Sequence, residues 1–215
     1  MVSWIISGVL LIFAYLWGSI PTGYLAGVYL QGIDIRQHGS GSIGTTNVLR
    51  TLGKKAAIAT LAIDLLKGVI AVAQIYLAYN LISSDLLSLE WKAYLTILAA
   101  VAAIVGHSKS IWIGFSGGKS VATSLGTLFA LDFRVALICL GIFALCLAVS
   151  RIVSLSSISA AIATNLGMII FDKPFPYLVF ALVAGAYVIY LHRSNIKRLL
   201  AGVEPKIGEK LQENT

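Results

Sequence analysis

Charge is scarce in this sequence. Only 12% of its residues are Asp, Glu, Lys or Arg, about half the share of an ordinary water-soluble domain. Acidic residues are the scarcer sign, nine against sixteen Lys and Arg, and they nowhere gather into the carboxylate cluster that holds magnesium or calcium. No His-Glu-x-x-His and no cysteine cluster is present, so zinc-site spacing is missing too. No metal and no cofactor is therefore expected. The two cysteines, Cys139 and Cys146, lie seven positions apart in one apolar run, which excludes a disulfide framework and reads as a pair of core or lipid-facing thiols. The first apolar run lacks a basic leader and a small-residue cleavage site, so it reads as a retained helix, not a cleaved signal. No linker, internal repeat or low-complexity tract divides the chain, and one domain over residues 1–215 is expected.

What is abundant is apolar surface. Of 215 residues 58% are hydrophobic, and the mean hydropathy is +0.90, more than one water-soluble core could hide. The bilayer has to be the solvent. A crossing takes roughly 20 apolar helical residues, and seven segments approach that length: residues 2–30, 56–80, 93–105, 121–131, 135–149, 157–171 and 175–191. The expected fold is an all-α polytopic integral membrane bundle of about seven helices. The third and fourth segments are short enough to be re-entrant, which leaves five full spans open.

Basic residues set the orientation, because cytoplasmic loops are enriched in Lys and Arg. One face receives Arg36, Arg50, Lys54, Lys55, Lys109, Lys119, Arg151, Arg193, Lys197, Arg198, Lys206 and Lys210, and the other only Lys92, Arg134 and Lys173. This split puts the N-terminus outside and the C-terminus in the cytoplasm. In so apolar a chain the formal +7 records that orientation and an affinity for anionic headgroups of the lipid bilayer, and nucleic acid is not an expected partner.

The loops of the basic face carry the unusual composition. The first reads Gly39-Ser40-Gly41-Ser42-Ile43-Gly44-Thr45-Thr46-Asn47-Val48-Leu49-Arg50. Its glycines let the backbone approach a ligand, its hydroxyl and amide groups are donors suited to phosphate oxygens, and Arg50 adds a forked cation. It is neither a P-loop nor a dinucleotide fingerprint. The second places Gly117-Gly118-Lys119 before a helix that starts near Ser120, aiming an ammonium and free helix N–H groups at one place. Ser154 and Ser157 are three apart, and His192 and Asn195 share one turn as the last apolar segment ends. Asp64 and Lys67, also three apart inside the second segment, read as a structural ion pair.

Four ordered motifs, Gly18-Ser19-Ile20-Pro21-Thr22-Gly23, the Gly-Ser-Gly-Ser-Ile-Gly-Thr-Thr-Asn-Val run, Gly-Phe-Ser-Gly-Gly-Lys-Ser-Val-Ala-Thr and His-Arg-Ser-Asn-Ile-Lys-Arg-Leu-Leu, together with Asp64-Leu65-Leu66-Lys67-Gly68, resemble the bacterial membrane glycerol-3-phosphate acyltransferase family usually called PlsY. The likeness covers nearly the whole chain. Ser120 departs from it, standing where many members carry glycine. The resemblance implies transfer of an acyl group from acyl phosphate to the sn-1 hydroxyl of glycerol 3-phosphate, giving 1-acylglycerol 3-phosphate (lysophosphatidate) and inorganic phosphate. It implies a site at the cytoplasmic surface of the bacterial inner (plasma) membrane, and as partners glycerol 3-phosphate, acyl phosphate and an acyltransferase that forms the acyl phosphate. Carried over by motif, Ser40, Arg50, Lys119, His192 and Asn195 are the expected catalytic residues. Gly39, Gly41, Ser42, Thr45, Thr46, Asn47, Gly117, Gly118, Ser154 and Ser157 are the expected substrate-binding residues. The proton acceptor is either His192 or a substrate phosphate oxygen.

The chain lacks the His-x4-Asp pair of another large acyltransferase class, because His38, His107 and His192 are followed at the fifth position by Ile43, Trp112 and Lys197. The alternative function is a transporter of an organic phosphate. Against it, the polar motifs fall on one face, and no pair of broken apolar segments marks inverted repeats around a midplane site.

Overall fold

The computed structural model describes residues 2–209; Lys210, counted above with the basic face, lies outside them. Among the described residues the chain is all-helical, with α1 (Val2–Ser19), α2 (Thr22–Gln31), α3 (Thr45–Thr51), α4 (Lys54–Leu81), α5 (Lys92–Ser108), α6 (Val121–Leu131), α7 (Phe133–Ser150), α8 (Val153–Ile170), α9 (Phe175–Leu191) and α10 (Arg193–Leu200). Large apolar side chains such as Trp4, Ile12, Leu145 and Ile170 remain exposed on the outer helix faces, the arrangement lipid stabilises and water does not. The chain is an integral membrane helix bundle.

Five elements are long and apolar enough to cross a bilayer: Val2–Gln31, Lys54–Leu81, Leu89–Ser108, Phe133–Ser150 and Val153–Ile170. A sixth follows if α9 and α10, bent by 62° at His192, count as one. The third apolar segment is longer than its composition suggested, because a turn of 3-10 helix at Leu89–Trp91 extends α5 to 20 residues. The fourth stays short: the 11 residues of α6 reach only about 16 Å at 1.5 Å per residue, half a hydrocarbon core.

The first segment, expected as one helix, is broken. Proline has no N–H to continue the ladder and disfavours helical backbone in the residue before it, and α1 ends at Ser19 just ahead of Ile20-Pro21. This break is an interruption the apolar pattern alone concealed, whereas the bend at His192 falls where the last apolar segment was expected to end. Ser110 Oγ donates to the Ser19 carbonyl at the break, so the interruption lies level with the polar loops.

Glycine permits the closest helix contacts. A methyl group on Gly18 would strike the Ala103 carbonyl and one on Gly106 the Tyr15 carbonyl, so α1 and α5 meet backbone to backbone. Gly68 and Gly126 seat α4 on α6 in the same way, against the carbonyls of Thr123 and Leu65. Lipid is as apolar as the side chains it surrounds, and such close small-residue contacts are what bind membrane helices to one another. At the end remote from the glycine-rich loops, Asp132 caps α7 through Arg134 N and pairs with Arg134 (2.9 Å) and Lys173. These contacts tie the α6–α7 turn to the α8–α9 turn.

Candidate functional site

The first glycine-rich loop is held open by its own asparagine. Gly39 and Gly41 have φ of +58° and +69°, left-handed backbone that glycine adopts at little cost. A Cβ at Gly39 would collide with Asn47 Oδ1. Asn47, buried in α3, donates from Nδ2 to the carbonyls of Ile35 (3.2 Å), His38 (3.0 Å) and Ser42 (2.8 Å) and accepts from Ser40 N (2.9 Å). Asn47, expected to touch substrate, has its amide engaged by the loop and also lines the larger cavity described below. The hydroxyls of Ser40 and Thr46 stay uncommitted, and Thr45 Oγ1 is buried without a partner among the described residues.

The second loop lies flat on the end of α5. Gly118 N donates to the His107 carbonyl (3.1 Å), and Ser110 N to the Ser116 carbonyl (3.1 Å). A Cβ on Gly117 would strike the His107 carbonyl. Ser120 has φ +59°, the conformation for which glycine is the natural residue, and its hydroxyl donates to the Ile104 carbonyl at 2.7 Å. The strain of about 1–2 kcal/mol is offset by a hydrogen bond worth about 1 kcal/mol. Ser120→Gly is accordingly expected to shift the thermal midpoint of detergent-solubilised protein by less than about 4 °C, the equivalent of about 1 kcal/mol in a chain this size. A larger fall would mean the hydroxyl outweighs the strain.

The α8 to α10 corner supplies the third wall. His192 sits at the bend, its Nδ1 2.8 Å from the Val188 carbonyl. A carbonyl only accepts, so Nδ1 carries the proton and Nε2 keeps a free lone pair. Burial pushes the imidazole down to about 4, against the opposing Val188 carbonyl. Ser157 donates back to Val153 in its own helix (2.8 Å). Ser154 Oγ (2.7 Å) and Asn195 Nδ2 (2.6 Å) both donate to Glu204 Oε1, while Arg198 Nε donates to Glu204 Oε2 (2.7 Å).

These three regions surround one cavity of about 630 Å³, lined at its polar end by Ser40, Ser42, Thr45, Thr46, Arg50, Lys119, Ser154, Ser157, His192, Asn195, Arg198 and Glu204. A smaller, polar cavity of about 400 Å³ adjoins it and is lined by Gly41, Gly117 and Gly118 among others, with Ser40, Ser42 and Lys119 shared between the two. Gly39 lines neither; it shapes the turn. From the polar end the larger cavity continues between α6, α7, α8 and α9 past Phe143, Leu147 and Ala184 to Leu128, Cys139 and Phe180. Cys139 lies eleven positions before the end of α7, about 17 Å of helix at 1.5 Å per residue.

Electrostatics at the polar end are lopsided. Burial lowers the affinity of Arg50 and Lys119 for their protons; in both, Glu204 opposes and Arg198 adds to the effect. Neither side chain makes a hydrogen bond or ion pair among the described residues. Burial alone would raise the Glu204 carboxyl, yet hydrogen bonds from Asn195, Ser154 and Arg198 hold it below the usual carboxylate range. Three cations thus surround one carboxylate. Uncompensated positive charge in a partly dry pocket attracts a doubly charged anion such as a phosphate monoester.

Glu204 and Arg198 were not foreseen as site residues. Arg198 stands three positions after Asn195, so the spacing placed both on one helix face, but it read as one more positive-inside cation. Glu204 sits in an irregular segment after α10, and only tertiary contact reveals its partners. Asp64 and His107 also line the cavity, although each read as a helix-interior or loop-edge residue.

The chain is similar to known proteins over nearly its full length. The sequence model of the family described as glycerol-3-phosphate acyltransferase matches residues 8–202. A glycerol-3-phosphate acyltransferase of Crocosphaera subtropica is 53% identical over 98% of this chain and 98% of its own. One of Rippkaea orientalis is 56% identical over 98% and 97%. The crystal structure of PlsY (YgiH), an integral membrane glycerol 3-phosphate acyltransferase, in its glycerol 3-phosphate form superposes with a TM-score of 0.83 at 38% identity, covering 94% of this chain and 96% of that one. Its lysophosphatidic acid form gives 0.81 at the same identity, over 94% and 95%. With the motif-bearing loops gathered on one cavity and this likeness spanning the bundle, the chain belongs to the glycerol-3-phosphate acyltransferase family.

Proposed function

We propose that this chain, as one domain, moves a fatty acyl group from acyl phosphate to the sn-1 hydroxyl of glycerol 3-phosphate, releasing 1-acylglycerol 3-phosphate and inorganic phosphate. The observation that carries the reading is the single cavity that joins a cation cluster to an apolar channel between membrane helices. The crystallised relative in glycerol 3-phosphate and lysophosphatidic acid forms supplies the chemistry of both ends. The reaction belongs at the cytoplasmic face of the bacterial plasma membrane, with seven crossings and the N-terminus outside. The excess of Lys and Arg at the cavity end supports this orientation.

Both substrates carry phosphate, and Arg50, Lys119 and Arg198 hold that charge. Ser40, Ser42, Thr45 and Thr46 offer hydroxyls, while Gly117 brings a backbone N–H close; the N–H groups of Gly41 and Gly118 are spent on the His38 and His107 carbonyls. The mixed anhydride already has a good leaving group, so the site's work is alignment and stabilisation of the oxyanion. The sn-1 oxygen adds to the acyl carbon, the carbon–oxygen bond to phosphate breaks, and phosphate departs with the electron pair. His192, neutral and offering Nε2, orients the attacking hydroxyl with Asn195. An imidazole held near 4 is a weaker base than a phosphate dianion, whose second ionisation lies near about 6, so the hydroxyl proton passes to a substrate phosphate oxygen.

Release of phosphate from palmitoyl phosphate by purified protein tests the reading: it should require glycerol 3-phosphate, and palmitoyl-CoA should not replace the donor. Absence of release by folded protein would move an organic-phosphate transporter ahead. For the proton acceptor, His192→Ala should lower turnover about 10²-fold. The acid limb of the rate profile should fall near pH about 6 and persist in His192→Gln. A limb near 4 that disappears with the histidine would make His192 the base.

The channel also selects the chain. Cys139→Leu fills its deep end with a net two extra heavy atoms and should cost long donors but spare short ones. The expected change in the palmitoyl to decanoyl ratio of kcat/KM is about tenfold, the worth of one or two misplaced methylenes; an unchanged ratio would place the chain elsewhere.

A further inference from the structure

We infer that Asp64, Lys67 and His107 form a buried positioning triad that fixes the two glycine-rich loops relative to each other and so aims Lys119. The inference rests on the acyl-transfer reading above but concerns residues to which that reading gives no role. Lys67 is the largest fully buried side chain of the chain's described part. Its ammonium lies 2.6 Å from Asp64 Oδ1, donates to the Ile20 carbonyl at 2.6 Å, and stands 3.4 Å from His107 Nδ1. His107 Nδ1 is also 3.7 Å from Asp64 Oδ1.

Each contact leads to a loop. The Ile20 carbonyl lies in the break before Pro21, where it also accepts from Thr22 N (3.0 Å), and the next helix, α2, rests on the first loop: a Cβ at Gly23 would strike the Ile43 carbonyl. On the other side, the His107 ring abuts Gly118, where a Cβ would strike Nε2. Lys119 follows directly. A protonated Lys67 makes Nδ1 the acceptor and places the imidazole proton on Nε2, facing that turn.

An ion pair alone does not account for the arrangement. Buried pairs add little over apolar side chains of the same volume, because desolvation consumes the Coulombic gain. What an apolar pair could not do is donate to the backbone carbonyl at the break of a membrane helix and hold an imidazole at the same time. Helices α4 and α5 and the break between α1 and α2 meet there.

The test compares steady-state kcat and KM for glycerol 3-phosphate in wild type, Asp64→Asn/Lys67→Met, His107→Ala, Lys119→Met and His107→Ala/Lys119→Met, with thermal unfolding of each in detergent. The charge-free pair should unfold within about 4 °C of wild type yet lose kcat about a hundredfold, the usual effect of a displacement of about 1 Å at reacting groups. Adding His107→Ala to Lys119→Met should cost little beyond Lys119→Met alone, since a residue that acts through another is non-additive with it. Wild-type kcat in the folded pair variant, or losses that multiply in the double variant, would overturn the triad. Should the pair variant fail to fold, the His107–Lys119 cycle decides alone. An inactive wild type would instead overturn the acyl-transfer reading.

Discussion

Lys119→Met is expected to lower kcat/KM by about 10²–10³-fold, the usual effect of removing one preorganised group that stabilises developing negative charge, while leaving the bundle intact. Among the described residues, Lys119 is the one Lys or Arg shared by the two cavities. Its ammonium makes no hydrogen bond or ion pair among the described residues, so nothing in the fold depends on it. Methionine keeps the length and the apolar stem and removes only the charge. Burial and the neighbouring arginines disfavour its protonated form, with Glu204 opposing; a phosphate dianion would reverse that imbalance. Lys119→Arg should recover little, because a planar fork does not replace a compact ammonium in a turn this tight. Near-normal kcat/KM in folded Lys119→Met would remove the lysine from the site.

Glu204→Gln is the second large effect, about 10²-fold in kcat together with a loss of about 1–3 kcal/mol in stability. One carboxylate oxygen accepts from both Ser154 and Asn195, and the other from Arg198. A primary amide has one acceptor and one donor, so whichever way it turns, an N–H faces another donor. Either Asn195 would then lose the partner that orients it, or Arg198 would be left unpaired beside Arg50. The carboxyl is held below the usual range by those same bonds. Its contribution is therefore present above the ordinary carboxylate pKa of about 4 and is lost as the pH falls through its own lower value. Melting in detergent from pH 7 downward reads this: wild type should lose stability toward pH 4 and below, and Glu204→Gln should show less of that slope. Equal slopes would mean the carboxylate is not held by the network.

Some of this was readable before any fold was known. Mean hydropathy and the split of Lys and Arg placed the chain in a bilayer with its polar loops at one end, because both effects depend on composition and not on packing. The first and second glycine-rich loops were legible for a similar reason: left-handed backbone at Gly39 and Gly41 and the turn at Gly118 can hardly be built from other residues. The ion pair of Asp64 and Lys67 followed from helical spacing alone.

Other assignments needed the third dimension. Asn47 carries a side chain equally suited to substrate and to backbone, and only the positions of the Ile35, His38 and Ser42 carbonyls show that it braces the loop. The break at Ile20 was hidden inside a continuous apolar run, since hydropathy does not register a missing N–H. Glu204 had no local pattern at all; its partners come from α8 and α10, and they define it. Sequence by itself determined the solvent, the helical class and the chemical character of the loops, because those follow from the side chains one at a time. Tertiary structure decided which polar groups are spent on holding the site and which remain free for a ligand, because satisfaction of a buried polar atom is a property of its neighbours.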